Sequence, residues 1–134
     1  MLTIRDFTTI HENLVNLLSV ATYGNHWPLV RAYKSDTRKG LFENCTCRED
    51  KWATALLLGK GIIICDLFSE DWDGEDELPE TAKHRITIAD VRNGLKLMRD
   101  KYPYHFANLV SERDDLCTGD VWLQLAVFGE VIYG

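Results

Sequence analysis

Gly59-Lys60-Gly61-Ile62-Ile63-Ile64-Cys65-Asp66-Leu67-Phe68 is the stretch on which the fold class turns. Three consecutive isoleucines lose side-chain freedom in a helix but pack well on a pleated surface, so Ile62 to Phe68 reads as a strand. Immediately before it, Trp52, Ala55, Leu56 and Leu58 suit a buried helix over Lys51 to Leu58, with Gly59 as a left-handed cap. Gly59-Lys60-Gly61 is then a turn between two buried elements. It is no phosphate loop: the first glycine is not at the required distance, no Ser/Thr follows the lysine, and a strand follows where a helix should.

Moving outward, Arg85 to Ile88 predicts a second strand that runs into a helix capped by Thr87 or Asp90. Val91, Leu95, Leu97 and Met98 recur on one face of that helix, at a modest cost from Gly94. Pro103 starts or separates a further helix carrying Phe106, Leu109 and Val110. A last helix opens near Thr118 or Asp120, buries Val121, Leu125 and Phe128, and is punctuated by Gly129 before the apolar tail Val131-Ile132-Tyr133. Upstream, Ile10, Leu14, Leu17, Leu18 and Ala21 have helical spacing, with Thr9 and Glu12 as a capping box. Asn25-His26-Trp27-Pro28 breaks that helix. Leu29 to Lys34 suits a short strand. Ser35 to Asp50 reads mostly as loop, with room for a turn of helix or a strand at 40–43. Strands and helices do not alternate as a parallel sheet demands. The expectation is one α+β domain over residues 1–134, helix-dominated, with a small antiparallel sheet and a C-terminal helical half.

The chain's 134 residues carry 15 Lys+Arg against 21 Asp+Glu, a formal charge of −6. A chain of this length supports one core better than two. No run of 18 apolar residues occurs, which excludes a membrane span, and Met1 to Asp6 lacks the basic-then-apolar order of a secretory signal. The four cysteines then read as reduced thiols of a cytoplasmic protein. Net negative charge argues against direct binding of duplex nucleic acid, which needs Lys and Arg to neutralise phosphates.

The acidity is local. Eight acidic residues and no Lys or Arg lie between Asp66 and Glu80, and setting those eight apart leaves 13 acids against 15 bases. The segment at about 69–83 contains Gly74 and Pro79 and reads as an exposed loop. Within it Glu70, Asp71, Asp73, Glu75, Asp76 and Glu77 flank Trp72. An indole is a frequent interface anchor, and surrounding negative charge speeds encounter with a basic partner. The competing readings are a solvated loop and an indole turned back into the core. A second acidic group, Glu112, Asp114, Asp115 and Asp120, reads either as helix capping or as part of a shared partner-binding face with Asp114 and Asp115.

Other chemistry fails on spacing. An EF-hand counted from Asp71 places glycine fourth instead of sixth and Ala82 twelfth, where a bidentate Glu is required. Cys45-Thr46-Cys47 has one residue between its thiols, too few for a structural zinc pair, and Cys65, Cys117, His26 and His84 do not complete a tetrahedron. No cysteine is marked as a thiolate nucleophile, and His105 reads as a helix-surface or half-buried side chain. The expectation is a protein without cofactor, metal or catalytic residues.

The segment Asp114-Asp115-Leu116-Cys117-Thr118-Gly119-Asp120-Val121-Trp122-Leu123-Gln124 continues through Phe128-Gly129-Glu130-Val131-Ile132-Tyr133-Gly134. It resembles the endings of a family of small bacteriophage and prophage proteins that close on acidic residues, an apolar helix and Phe-Gly-Glu-hydrophobic-hydrophobic-Tyr-Gly. The resemblance implies a non-enzymatic phage-type protein acting in the host cytoplasm on host machinery. The partner expected is a host protein or ribonucleoprotein with a basic groove, inhibited as an anti-CRISPR or anti-restriction protein would inhibit it: carboxylates compete with phosphates while Trp72 anchors. The alternative is a virion-associated or accessory protein that forms a symmetric homodimer through Val131, Ile132 and Tyr133.

Overall fold

The computed structural model describes residues 1–32 and 45–134. Among them are six helices and three strands: α1 (Ile4–Thr9), α2 (His11–Thr22), β1 (Pro28–Ala32), α3 (Arg48–Leu57), β2 (Ile62–Asp66), β3 (Lys83–Ile86), α4 (Ile88–Lys101), α5 (Pro103–Val110) and α6 (Leu116–Phe128). The strands form one antiparallel sheet in the order β1-β2-β3. The fold is the expected single α+β domain. No helix among the described residues is long and apolar enough to cross a membrane.

Several boundaries move, each for a local reason. The amino-terminal region holds two helices instead of one. Thr3 and Asp6 form the capping box of α1, with the Asp6 N–H donating to Thr3 Oγ1 at 3.2 Å and the Thr3 N–H to Asp6 Oδ2 at 2.8 Å. Thr9 therefore ends α1 and caps nothing. Its hydroxyl donates back to the Arg5 carbonyl at 2.7 Å, and α2 starts from Ile10 with no side-chain cap. β2 stops at Asp66 and not at Phe68, because the Asp66 carboxylate accepts the Phe68 N–H at 3.0 Å and turns the chain. β3 ends at Ile86, two residues short of Ile88, since Thr87 leaves the sheet to cap α4, donating its N–H to Asp90 Oδ2 at 2.8 Å. α6 opens at Leu116, before Thr118 or Asp120, because Asp115 is its cap. Arg48 to Asp50, expected as loop, begin α3. The expected turn or strand at 40–43 and the end of the Leu29–Lys34 strand lie outside the described residues.

α6 is the centre of the molecule and packs against α2, α4 and α5. Its Trp122, Leu123 and Leu125 are fully or almost fully buried, as are Leu14, Leu17 and Leu18 of α2 and Leu95 and Met98 of α4. A helix apolar on nearly all sides belongs in such a place. Two glycines allow the close approach. A Cβ on Gly119 would lie 2.5 Å from the Val20 carbonyl group, and one on Gly94 would lie 2.9 Å from Ala126. Gly94 thus gives up helix propensity to let α4 meet α6.

Candidate functional site

The sheet has two unlike faces. Residue alternation places Ile62, Ile64 and Ile86 on the inner face, where they join the helical core. The outer face carries two cross-strand rows, Leu29–Cys65–Lys83 and Arg31–Ile63–Arg85. Cys65 is fully buried even though it points outward, and burial pushes its thiol pKa up. The acidic loop lies against this face. Leu67, Trp72, Asp76, Glu77 and Leu78 of the loop, with Leu29 and the two cations Arg31 and Lys83 of the sheet, bound a cleft of about 340 Å³, so two of the loop's acidic residues share it with two of the sheet's cations.

The loop is ordered by its own hydrogen bonds. Asp73 Oδ1 accepts the N–H groups of Glu75 and Asp76, each at 2.9 Å, across Gly74 in the left-handed region at φ +87°. Those backbone donors hold the Asp73 carboxyl below its ordinary pKa. Ser69 Oγ accepts the Asp71 N–H at 3.2 Å. Trp72 is half-buried, and its indole N–H donates to the Asp76 carbonyl at 2.8 Å. The indole is therefore neither sunk in the main core nor fully displayed; one face of it serves its own loop. Glu70, Asp71, Asp73, Glu75, Asp76 and Glu77 are all exposed. Among the described residues none of the six is ion-paired. The cation nearest in sequence, Lys83, is bonded to Glu80 at 2.9 Å, and that bond raises its pKa.

Asp114 and Asp115 are not brought to this loop. Asp115 caps α6, its Oδ1 accepting the Thr118 N–H at 2.9 Å, which holds its carboxyl below the usual range. Asp114 is half-buried in a different cleft, beside Leu2 and Phe7. Asp120 sits well inside α6 and caps nothing.

Asp120 belongs instead to a polar network that sequence reasoning missed. Its Oδ1 accepts the Trp27 indole N–H at 2.7 Å, and its Oδ2 accepts from Gln124 Nε2 at 3.0 Å. Gln124, 0 % exposed, then clasps the chain's end: its Oε1 accepts the Ile132 and Tyr133 N–H groups, both at 2.8 Å, and its Nε2 donates to the Tyr133 carbonyl at 3.1 Å. The Tyr133 hydroxyl donates to Asp66 Oδ2 at 2.5 Å. Burial and this bond to a carboxylate raise the tyrosine pKa. Rings close around the network, with Trp27–Phe128, Phe128–Tyr133 and Phe68–Tyr133 centroids 5.3, 6.0 and 5.5 Å apart. Asp66 thus ties the tail to the first turn of the acidic loop. Val131 and Tyr133 pack against the protein's own core, which leaves Ile132, 45 % exposed, as the apolar part of the tail open to a second copy. A glutamine set between the leucines of α6, four residues after an aspartate, and an aspartate ending an isoleucine strand were the available sequence signals.

Among the described residues no group of three or more His, Cys, Asp or Glu side chains is placed to hold a metal ion. The cysteines are dispersed: Cys65 in β2, Cys117 exposed on the first turn of α6, Cys45 and Cys47 before α3. His11 and Asp50 join α2 to α3 through an Nε2–Oδ1 contact, and His105 Nδ1 meets the buried Thr118 hydroxyl at 3.0 Å. Comparison with family models, with curated proteins and with solved structures found no match for this chain.

Proposed function

We propose that the protein is a binding protein, not an enzyme, whose acidic loop engages the basic groove of a nucleic-acid-handling partner. The observation that carries the reading is a loop of exposed carboxylates that form no ion pair among the described residues, on a backbone already fixed by its own hydrogen bonds. A fixed array of negative charge presents itself to lysines and arginines much as a phosphate backbone does, at little ordering cost on binding. Glu70, Asp71, Glu75, Asp76 and Glu77 supply the charge. Asp73 shapes the turn, and the half-exposed indole of Trp72 supplies apolar contact at the centre. The phage-type ending of the sequence suggests the partner class: a host-defence nucleoprotein complex of the CRISPR or restriction kind, blocked in the host cytoplasm by occupation of its nucleic-acid groove.

The test is an interference assay in bacteria that carry a DNA-targeting defence system, with and without the protein. Wild type restores plasmid or phage survival; a variant with Glu70, Asp71, Glu75, Asp76 and Glu77 changed to their amides does not. In vitro, partner binding weakens steeply with salt and competes with duplex DNA. Full inhibition by a loop whose charges have been reversed to lysine would overturn the reading.

A further inference from the structure

We propose that a second cleft, bounded by α1, α2 and the α5–α6 connection, receives an arginine side chain presented by a protein partner. The cleft measures about 260 Å³. That is below the ~300–1,000 Å³ of ordinary small-ligand sites, a size for one side chain and not for a cofactor. Its floor is apolar, formed by the buried Phe7, Leu17 and Leu109. Its mouth carries Asn16, Glu112 and Asp114.

Charge complementarity selects the occupant. Among the described residues the Glu112 and Asp114 carboxylates have neither an ion pair nor a side-chain hydrogen bond, and Asp114 is half-buried beside apolar side chains. A carboxylate drawn partly out of water beside an apolar surface favours a cation that brings its own apolar stem. Arg113, the next residue along, is exposed and pairs with neither. Glu112 stands at φ +60°, just past the end of α5, where glycine is the usual residue. Glutamate there accepts a backbone penalty and puts a carboxylate at the cleft mouth. Arginine fits this arrangement better than lysine. Its planar fork of five N–H donors suits a cleft lined by two acidic residues and an amide, it is weakly hydrated, and its methylenes match the floor. The cleft shares no residue with the acidic loop, so neither proposal depends on the other.

The experiment is a ¹⁵N–¹H NMR titration of the intact protein with Nα-acetyl-arginine amide, with the isosteric neutral Nα-acetyl-citrulline amide alongside. The expected result is shifts centred on Asn16, Glu112 and Asp114, with the citrulline compound at least about fivefold weaker because the charge-assisted pairs are lost. Glu112→Gln with Asp114→Asn weakens the arginine compound by a similar factor. Asn16→Trp, a substitution at an exposed mouth position, abolishes the shifts while the rest of the spectrum is retained. Equal binding of the citrulline compound overturns the proposal, as do shifts confined to residues 70–77 or no binding up to about 20 mM, a free energy too small for a specific site. Butylguanidinium, which has the same single charge and no peptide backbone, binding about tenfold tighter than the blocked arginine would also overturn it, because the ligand would then be a free guanidinium and not a partner's side chain.

Discussion

Asp66 and Asp73 each accept a backbone N–H two residues ahead, Phe68 and Glu75, and each starts a turn by doing so. Their surroundings are opposite. Asp66 is 4 % exposed, and its second oxygen is taken by the Tyr133 hydroxyl. Asp73 is exposed, among neighbours whose carboxylates face water. In the clasp every polar group is spent on another part of the chain, so each bond counts toward stability and nothing is left for a partner. In the loop the backbone is satisfied with the help of Asp73, and the other carboxylates between positions 70 and 77 form no ion pair among the described residues, Glu77 only adding to the negative field on Lys83. The difference teaches where to look for function in this molecule: among groups that folding does not consume.

Breaking the clasp gives the largest expected effect. Gln124→Leu retains the size of the side chain but strands the Ile132 and Tyr133 N–H groups and one oxygen of Asp120. Leaving buried groups unpaired costs about 1–3 kcal/mol each, and partial fraying of the tail recovers some of it, so a net loss of about 2–4 kcal/mol is expected in urea unfolding. Amide exchange at Ile132 and Tyr133 should accelerate in the same variant. A loss below about 0.5 kcal/mol would show that the tail is not held as the geometry indicates.

Tyr133→Phe is next. It keeps the ring between Trp27, Phe68 and Phe128 and removes only the donor to Asp66, for an expected loss of about 1–3 kcal/mol. The pH dependence has a definite sign. The folded pKa of this tyrosine is raised, so its contribution is fully present below the unfolded value near 10 and is lost as pH rises toward the folded value. Wild type and Tyr133→Phe should therefore converge in stability above about pH 10, and parallel alkaline unfolding curves would contradict this.

The same contrast explains how much was legible from sequence. Ile62-Ile63-Ile64 announces β2, and the periodic apolar residues of α2 and α4 announce the helical core, because burial leaves a regular trace in residue order. In α6, apolar on nearly all sides, the trace is lost: of Val121, Leu125 and Phe128 only Leu125 is buried, and Trp122 and Leu123 are the buried apolar side chains beside it. Position 94 read as a cost; only the helix crossing shows that a Cβ there would strike Ala126. Thr9 read as a cap because Thr-x-x-Glu is a local pattern, and the pattern does not reveal that α1 already occupies Thr9. The loop's charge was plain in composition. Its internal bonds were not, since Asp73 and its five acidic neighbours are chemically alike until the turn at Gly74 singles one out. The clasp was least legible: it joins residues from four separated parts of the chain, and no local spacing encodes that.

Neutralising the loop tests the other side of the comparison. Glu75→Gln, Asp76→Asn and Glu77→Gln together remove charges that among the described residues make no ion pair, so Tm should stay within about 3 °C of wild type. Partner binding should fall, and its salt dependence should flatten. A large loss of stability would mean that these carboxylates serve the fold after all, and the loop and clasp would then differ in degree only.

Asp73 is the exception within the loop, and it gives the smallest and most diagnostic effect. Its folded pKa lies below the ordinary value because the Asp76 and Glu75 N–H groups point at the ionised carboxylate. The unfolded chain therefore takes up the proton first as pH falls. The carboxylate's contribution is present above the unfolded pKa, near 4, and is lost as pH drops through the lowered folded value. Asp73→Asn keeps an oxygen that can accept both N–H groups but removes the charge. The gap between wild type and this variant in thermal unfolding should accordingly be constant between about pH 5 and 7 and close below about pH 4. If the gap instead stays constant down to about pH 3, Asp73 is one more charge on the loop's surface and not the residue that fixes its shape.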